Sequence, residues 1–460
     1  MSRGGWWRAA ATVALAAACY GNTLANDFVW DDRLSAVAPG EVGTILTHRM
    51  GPYYRPLVML SFLADRSVWG TSPFGFHLTN LLAHAGVGWL VGAFAQALGA
   101  TPGVALAASL LFVAHPVQTE AVSYVSGRTD VLGALFVLGA LLAWRRARRA
   151  VDGWAVASAA LVLAALGCKE TAVLVPLVFL VPGAHPLATP PHPWLPLAAA
   201  SVWAIGWALT AAPTTAFAGL DVRLPAVAAM VLEYARLLVW PGDLHLERFV
   251  VVPGRSLAVV AAQWVAVALL VAVLARGASR VRGGAVALAL AIALYLPASG
   301  IVPVYPAVAD RALFAAEHFL YLPLCALVPL AVTWARRHVG DSRIAAACVL
   351  VCLVVWTPLT IARNRDWRDE RTLFTHTLRY DPPTARVWYD LGNVHLAAGD
   401  PAGAERLYRE AIARDPRDAA VHLNLGIALQ RQSRRDEAAT SYAEALRLDP
   451  TLARAFGRRE

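Results

Sequence analysis

Charge is scarce in this sequence: 15% of its 460 residues are charged, 58% are hydrophobic, and the mean hydropathy is +0.52. That balance excludes a water-soluble globular fold for most of the chain. Lysine is almost missing, Lys169 being the only one, so nearly every fixed positive charge is an arginine. Cysteine is sparse as well. Cys19, Cys168, Cys325, Cys348 and Cys352 lie in or beside apolar runs with no CxxC or Cys/His spacing, which argues against a zinc site and leaves them as small buried hydrophobes. The net charge of +9 invites a nucleic-acid reading, but the basic residues are not interleaved with aromatics. They cluster beside apolar spans, as topology signals do, so no nucleic-acid partner is expected.

What the chain does have is a series of apolar blocks filling its first 361 positions. Candidate spans fall at 6–22, 77–98, 103–115, 129–144, 153–167, 171–183, 193–211, 257–275, 283–297, 316–334 and 344–361. Arg145, Arg146, Arg148 and Arg149, then Arg276, Arg280 and Arg282, then Arg336, Arg337 and Arg343 mark three cytoplasmic loops. Counting 224–240 as a further crossing would place the loop at 276–282 outside, against its charge. That stretch, with Glu233, Tyr234 and Arg236, is therefore expected to lie as an amphipathic helix in the outer interface. About eleven crossings then put the N-terminus inside and the C-terminal region outside. Residues 23–76 form a long outer segment, with an interfacial helix running from Pro56 toward Trp69. The N-terminus, with Arg3, Arg8 and an apolar core ending at Cys19, also has the outline of a cleaved signal. Ala16, however, stands where a lipoprotein site wants a branched residue. Low lysine with abundant alanine and arginine points to a bacterial inner membrane.

On that topology polar residues collect on the outer side. Asp31 and Asp32 sit in Phe28-Val29-Trp30-Asp31-Asp32-Arg33, directly after an apolar span. His115, Glu120, Arg128 and Asp130 share one short stretch between two spans, and Lys169 and Glu170 begin the next outer turn. Asp243 to Arg248 and Tyr305 to Glu317, the latter with Asp310 and Arg311 and followed by His318, complete the set. Ionised groups at that depth are costly unless paired or used. Each group has a plain structural alternative: a polar helix cap at Asp31, a solvated turn at 115–130, a snorkelling lysine paired with Glu170, a capping Glu317.

The C-terminal part carries a repeat. Asp-Pro recurs at 381–382, 415–416 and 449–450, a period of 34 that also relates Gly392 to Gly426, Tyr408 to Tyr442 and Ala411 to Ala445. This is the tetratricopeptide pattern, in which each helical hairpin hides its apolar face only against the next. A half repeat precedes two full ones, and Thr451 to Glu460 is expected to begin a capping helix. Such arrays bind peptides along a groove.

The ordered series Phe28 to Arg33, Arg55-Pro56-Leu57, Pro73-Phe74-Gly75-Phe76-His77, His115-Pro116 with Thr119-Glu120, Gly127-Arg128-Thr129-Asp130, Lys169-Glu170, Leu320-Tyr321-Leu322-Pro323 and Arg363-Asn364-Arg365-Asp366-Trp367, followed by repeats, resembles the transmembrane and tetratricopeptide-containing O-mannosyltransferases. The resemblance implies an all-α chain: a polytopic GT-C-like membrane bundle over 1–366 and a short tetratricopeptide solenoid over 367–460 on the non-cytoplasmic side. It also implies transfer of a sugar, mannose in that family, from a polyprenyl-phosphate carrier to a hydroxyl acceptor such as protein Ser or Thr, with inversion. The chain departs from the family at Glu317-His318, where an arginine usually follows the glutamate, and its repeat array is short.

The chemistry such a transfer needs can be matched to residues. An acceptor hydroxyl needs a carboxylate as general base, for which Asp31 or Asp32 is the candidate, the neighbour orienting it or raising its pKa. The departing phosphate gains charge, so Arg128 and Lys169 are candidates to stabilise it, with His115, Glu120, Asp130, Glu170, Glu317 and His318 supporting. The aspartate pair is also a possible ligand for a divalent cation, which the sequence leaves open. A reading from another class is a membrane-anchored scaffold whose bundle is catalytically silent. A transporter is weaker, because no inverted repeat is visible.

Overall fold

The computed structural model of the chain describes residues 3–36, 40–47, 53–187, 189–210, 219–251, 256–301, 312–339, 342–380 and 384–452. Tyr305, Asp310, Arg311, the Asp-Pro pair at 381–382 and the capping segment beyond residue 452 lie outside the described residues. The described chain is helical apart from turns and a ribbon of two three-residue strands, β1 (Phe249–Val251) and β2 (Ala312–Phe314). It divides into two units, Met1–Leu244 with Val250–Trp367, and His245–Phe249 with Arg368–Glu460.

The first unit opens with α1 (Arg3–Tyr20), the short outer helices α2 (Asp32–Ser35) and α3 (Val42–Thr47), and α4 (Pro56–Trp69). There follow α5 (Pro73–Ala97), α6 (Pro102–Ala114), α7 (Thr119–Ser123), α8 (Arg128–Trp144), α9 (Gly153–Leu166) and the single turn α10 (Val175–Val178). The unit closes with α11 (Trp194–Thr210), α12 (Leu220–Val239), α13 (Leu257–Ser279), α14 (Gly284–Tyr295), α15 (Tyr321–Val339) and α16 (Ser342–Asn364). Proline begins α4, α5 and α6, positions where its missing N–H would have had no helical partner. Five described helices are long and apolar enough to cross a membrane, and a sixth is added if α6 and the segment Pro116–Ser123, bent by 56°, are one broken span. The chain is a multi-pass membrane protein.

Contacts sort the helix ends into two sets. At one end Arg8 donates to Gln96 (2.9 Å), and Arg145 donates to the carbonyls of Ala97 (2.6 Å) and Ala184 (2.7 Å). His185 meets the Ala147 carbonyl there, Arg282 lies along Gly99, and Arg337 and His338 meet Arg280. The three arginine-rich loops therefore share one end of the bundle. At the other end α12 lies crosswise. Near its start Arg223 donates to the Ile301 carbonyl (3.1 Å), and near its finish Tyr234 donates to Ala316 (2.9 Å) and the Leu238 carbonyl meets His115 (3.2 Å).

One expected span has a different form. Residues 171–183 are not a continuous helix but a 3-10 turn, Glu170–Leu174, followed by α10, with Pro176 and Pro182 interrupting regular bonding. The segment still runs the length of its neighbour: Lys169 pairs with Asp130 at the head of α8, and His185 bonds Ala147 just past its tail. By helical rise that distance is roughly 24 Å. Irregular backbone at such depth is tolerated where protein covers it, and Ala172, Val175, Val178 and Phe179 are buried.

The second unit contains α17 (Glu370–Leu378), α18 (Arg386–Ala397), α19 (Pro401–Arg414), α20 (Ala419–Arg431) and α21 (Arg435–Leu448). Asp369, Asp400 and Asp418 cap α17, α19 and α20 by accepting backbone N–H bonds. The repeated glycines have a packing reason. A Cβ on Gly392 would lie 2.5 Å from the Tyr408 ring, and one on Gly426 would lie 2.5 Å from Tyr442, so only glycine lets the two helices of each hairpin close. Of the turn expected among the outer polar residues, Asp243 pairs with Arg236 in the first unit, while His245 to Arg248 belong to the second: His245 stacks on Tyr380 at 4.0 Å, and Glu247 accepts from Thr384.

Candidate functional site

The site is assembled at the end of the first unit opposite the arginine-rich loops, and it begins at a strained residue. Trp30 has φ of 54°, a left-handed conformation uncommon for a large side chain. The turn it makes starts α2 with Asp31 and Asp32 facing different surroundings. Asp32 is fully buried: Oδ1 accepts from the backbone N and the hydroxyl of Ser126, both at 2.7 Å, and Oδ2 from Val29 N at 3.2 Å. Burial outweighs those donors and pushes its pKa up to about 7. Asp31 is only half-buried. Both oxygens of Asp32 are thus engaged by protein donors, and a divalent cation at the pair would have Asp31 as its accessible carboxylate.

The stretch from His115 to Asp130 overturns the solvated-turn alternative. Every residue from Ala114 to Val125 is buried. Gly127 permits the fold-back, since a Cβ there would lie 2.7 Å from the carbonyl oxygens of Glu120 and Ala121. Two expected substrate contacts from this stretch are held by partners within the protein. Arg128, with no exposed surface, spends its donors inside the protein: on Asp65 (2.6 Å), Asn80 (2.7 Å), Ser61 (3.2 Å) and the Phe76 carbonyl (2.8 Å), with its guanidinium 4.7 Å from the Phe62 ring. Through these bonds it pins α4, α5 and α8 together. His115 likewise has both ring nitrogens committed, to Val117 N and the Leu238 carbonyl, and packs at 4.4 Å on Trp356. It ties the α6 break to α12 and α16.

Two residues beyond Arg128, Asp130 pairs with Lys169 at 2.5 Å, both buried. The neighbouring Glu170 does not pair with that lysine. It takes a two-pronged bond from Arg55, Nη2 to Oε1 at 2.7 Å and Nε to Oε2 at 3.1 Å, on a partly exposed guanidinium stacked over Tyr53. Lys169 also lies 5.5 Å from the face of Phe319, whose ring meets His318 edge-on at 4.7 Å. His318 in turn binds Glu120 twice, through Nδ1 (2.8 Å) and its backbone N (3.0 Å). The histidine that replaces the resembled family's arginine therefore still faces an acid. Glu317 lies 3.6 Å from Arg363, which also bonds Asp366 and stands 5.6 Å from the Trp367 ring. Trp367 stacks on Tyr124 at 5.5 Å, and Tyr124 on Trp30 at 5.6 Å.

The contacts close into a ring: Trp30, Tyr124, Trp367, Arg363, Glu317, His318, Phe319, Lys169 and Asp130, then back along the chain to Ser126, which bonds Asp32 two residues from Trp30. Asn364 braces it, donating to the Cys19 carbonyl (2.8 Å) and Asn22 (2.9 Å) and accepting from Ser123 (2.8 Å). Reading by motif missed Asp65, Asn80, Ser126 and Tyr124 as partners. A usable signal existed for Asp65, a lone carboxylate on the inward face of an amphipathic helix. Among the described residues no cluster of three or more His, Cys, Asp or Glu side chains has the arrangement to hold a metal ion.

Residues 389–453 match the tetratricopeptide repeat family. The chain is 38% identical over 178 residues to protein O-mannosyl-transferase Tmtc1 of Drosophila melanogaster, a match covering 35% of this chain and 21% of that protein. It is 26% identical over 509 residues to protein O-mannosyl-transferase TMTC3 of Mus musculus, covering 96% of this chain and 54% of that protein. With protein O-mannosyl-transferase TMTC4 of Homo sapiens it shares 26% identity over 494 residues, 88% of this chain and 66% of that protein. The chain thus spans about a fifth of the first of these relatives and between half and two thirds of the other two.

Proposed function

We propose that this chain, homologous over most of its length to the transmembrane and tetratricopeptide protein O-mannosyl-transferases, transfers a sugar, mannose, from a polyprenyl-phosphate carrier to a protein hydroxyl at the ring of residues described above. The observation that carries the reading is the unequal aspartate pair: Asp32 locked and buried, Asp31 half-buried beside it on a strained turn, at the same bundle end as Lys169 and Arg55. Asp31 is assigned as the general base. It accepts the acceptor hydroxyl's proton while the oxygen bonds the anomeric carbon and the bond from that carbon to the carrier phosphate breaks, inverting the centre. Asp32, fixed by Ser126, sets the turn that aims Asp31.

Arg55 joins Lys169 in stabilising the departing phosphate, while the donors of Arg128 are directed into the protein. Lys169 has three N–H donors, and its bond to Asp130 uses one. Fixed cations beside a leaving phosphate act more strongly as charge develops on it than on the ground state. The arginine-rich loops sharing the opposite end support an extracytoplasmic site, periplasmic in a bacterial inner membrane, with the bundle 1–366 as the transferase and the repeats at 367–460 as the surface that holds the acceptor protein.

The test is a membrane-fraction assay with labelled polyprenyl-phosphate mannose, following label into protein. Asp31→Asn should lower transfer by about a hundredfold or more with an unchanged unfolding temperature. Normal turnover in that variant removes Asp31 from the mechanism. If the native chain moves no label while its repeats still capture partners, the bundle is a silent scaffold instead.

A further inference from the structure

At the arginine-rich end of the bundle, remote from the ring, a groove of about 620 Å³ opens between α1, α5, α8 and α9. Small residues, among them Ala93, Gly139 and Ala157, make the space between the helices, and Leu90 and Leu161 line it. Its head is basic: Arg8, Arg145 and Arg146 border it, and no carboxylate occurs among the described residues that line it. Arg8 is 4% exposed, and Gln96 takes only its Nη1. Among the described residues nothing accepts from Arg8 Nε, nor from the buried Trp89 Nε1 in the same wall. Buried donors left unsatisfied are costly, most of all on a charged group, so the groove is an anion seat joined to an apolar channel.

We propose that this groove binds an anionic phospholipid, its phosphate oxygens accepting from Arg8 and Arg146 and one acyl chain lying along α5, α8 and α9. Arg146 is placed for this by its contact with the Trp154 ring at 5.2 Å, which holds the guanidinium at the groove mouth. Basic pockets between spans on the side of the positive loops are where anionic headgroups are attracted. The occupant is a membrane lipid rather than a soluble phosphate because the channel behind the arginines is apolar. The proposal stands apart from the transfer reaction.

The experiment uses the full chain in zwitterionic detergent and reads the unfolding temperature on adding phosphatidylglycerol, phosphatidylcholine with the same acyl chains, or inorganic phosphate. Phosphatidylglycerol should raise it by about 3 °C or more, with little effect from the other two. Arg146→Gln and Ala157→Leu, the second filling the groove without touching the charge, should each abolish most of that shift. Arg8→Gln should do the same, and if it fails to fold the other two decide. Equal shifts from both lipids, a matching shift from inorganic phosphate, or a shift that survives Arg146→Gln and Ala157→Leu would each overturn the proposal.

Discussion

Arg128 shows how much a single buried charge can depend on the groups around it. An arginine with no exposed surface is stable only because Asp65, Asn80 and the Phe76 carbonyl face it. Removing one partner leaves a buried charge uncompensated, so Asp65→Ala should cost about 3–5 kcal/mol. Thermal unfolding in detergent checks this, and an unchanged melting temperature with lost transfer would instead return Arg128 to the reaction. Asp32 gives a pH prediction. Its folded value, about 7, lies above its ordinary 3.8 because of burial. The fold therefore favours the protonated form, and the stability this contributes is complete below about pH 4 and lost as pH rises through about 7. Asp32→Asn, neutral throughout, should show a shallower fall in unfolding temperature over that window than the native chain. Identical pH profiles would mean that Asp32 is ionised across the whole range.

At the scale of elements, two glycines of the same region should behave oppositely. Gly127→Ala drives a methyl to 2.7 Å from two carbonyl oxygens, so the fold-back over α7 must open, and with it the placement of Glu120 and Arg128. Gly133 on α8 meets Lys169 Cβ at an ordinary 3.7 Å. Its alanine variant should be neutral or slightly stabilising, within about 1 kcal/mol, as helix propensity gains what backbone freedom loses. Transfer activity and unfolding temperature measured on both variants decide the matter, and equal damage from the two would sink the steric account. The repeats make a separate prediction. Deleting 368–460 should spare transfer to a small hydroxyl acceptor and abolish transfer to protein, whereas loss of both would tie the repeats to the bundle's own chemistry.

For the whole molecule the orientation is testable. Because Arg148 lies in one arginine-rich loop and Ser35 beside the aspartate pair, single cysteines at the two positions, on a background lacking the native five, should react with an impermeant maleimide from opposite faces of sealed vesicles. Labelling from the same face would reverse the topology.

Much of this architecture was legible in the chain alone. Apolar blocks are read directly from composition, because lipid demands them of every exposed span, and the 34-residue period fixes the repeats because each hairpin must pack on a copy of itself. The pairing partners were not legible. Arg128 lies 63 positions from Asp65, and Glu120 lies 198 from His318, and no local rule relates residues so separated. Nor could spacing tell the engaged Asp32 from the half-buried Asp31, or show that 171–183 would run the length of α8 without a regular helix. Sequence determined which groups must leave water, since hydrophobicity is a property of each residue; only tertiary structure decided which charges would be buried and what would neutralise them, since a buried ion's cost is set by what the fold places against it.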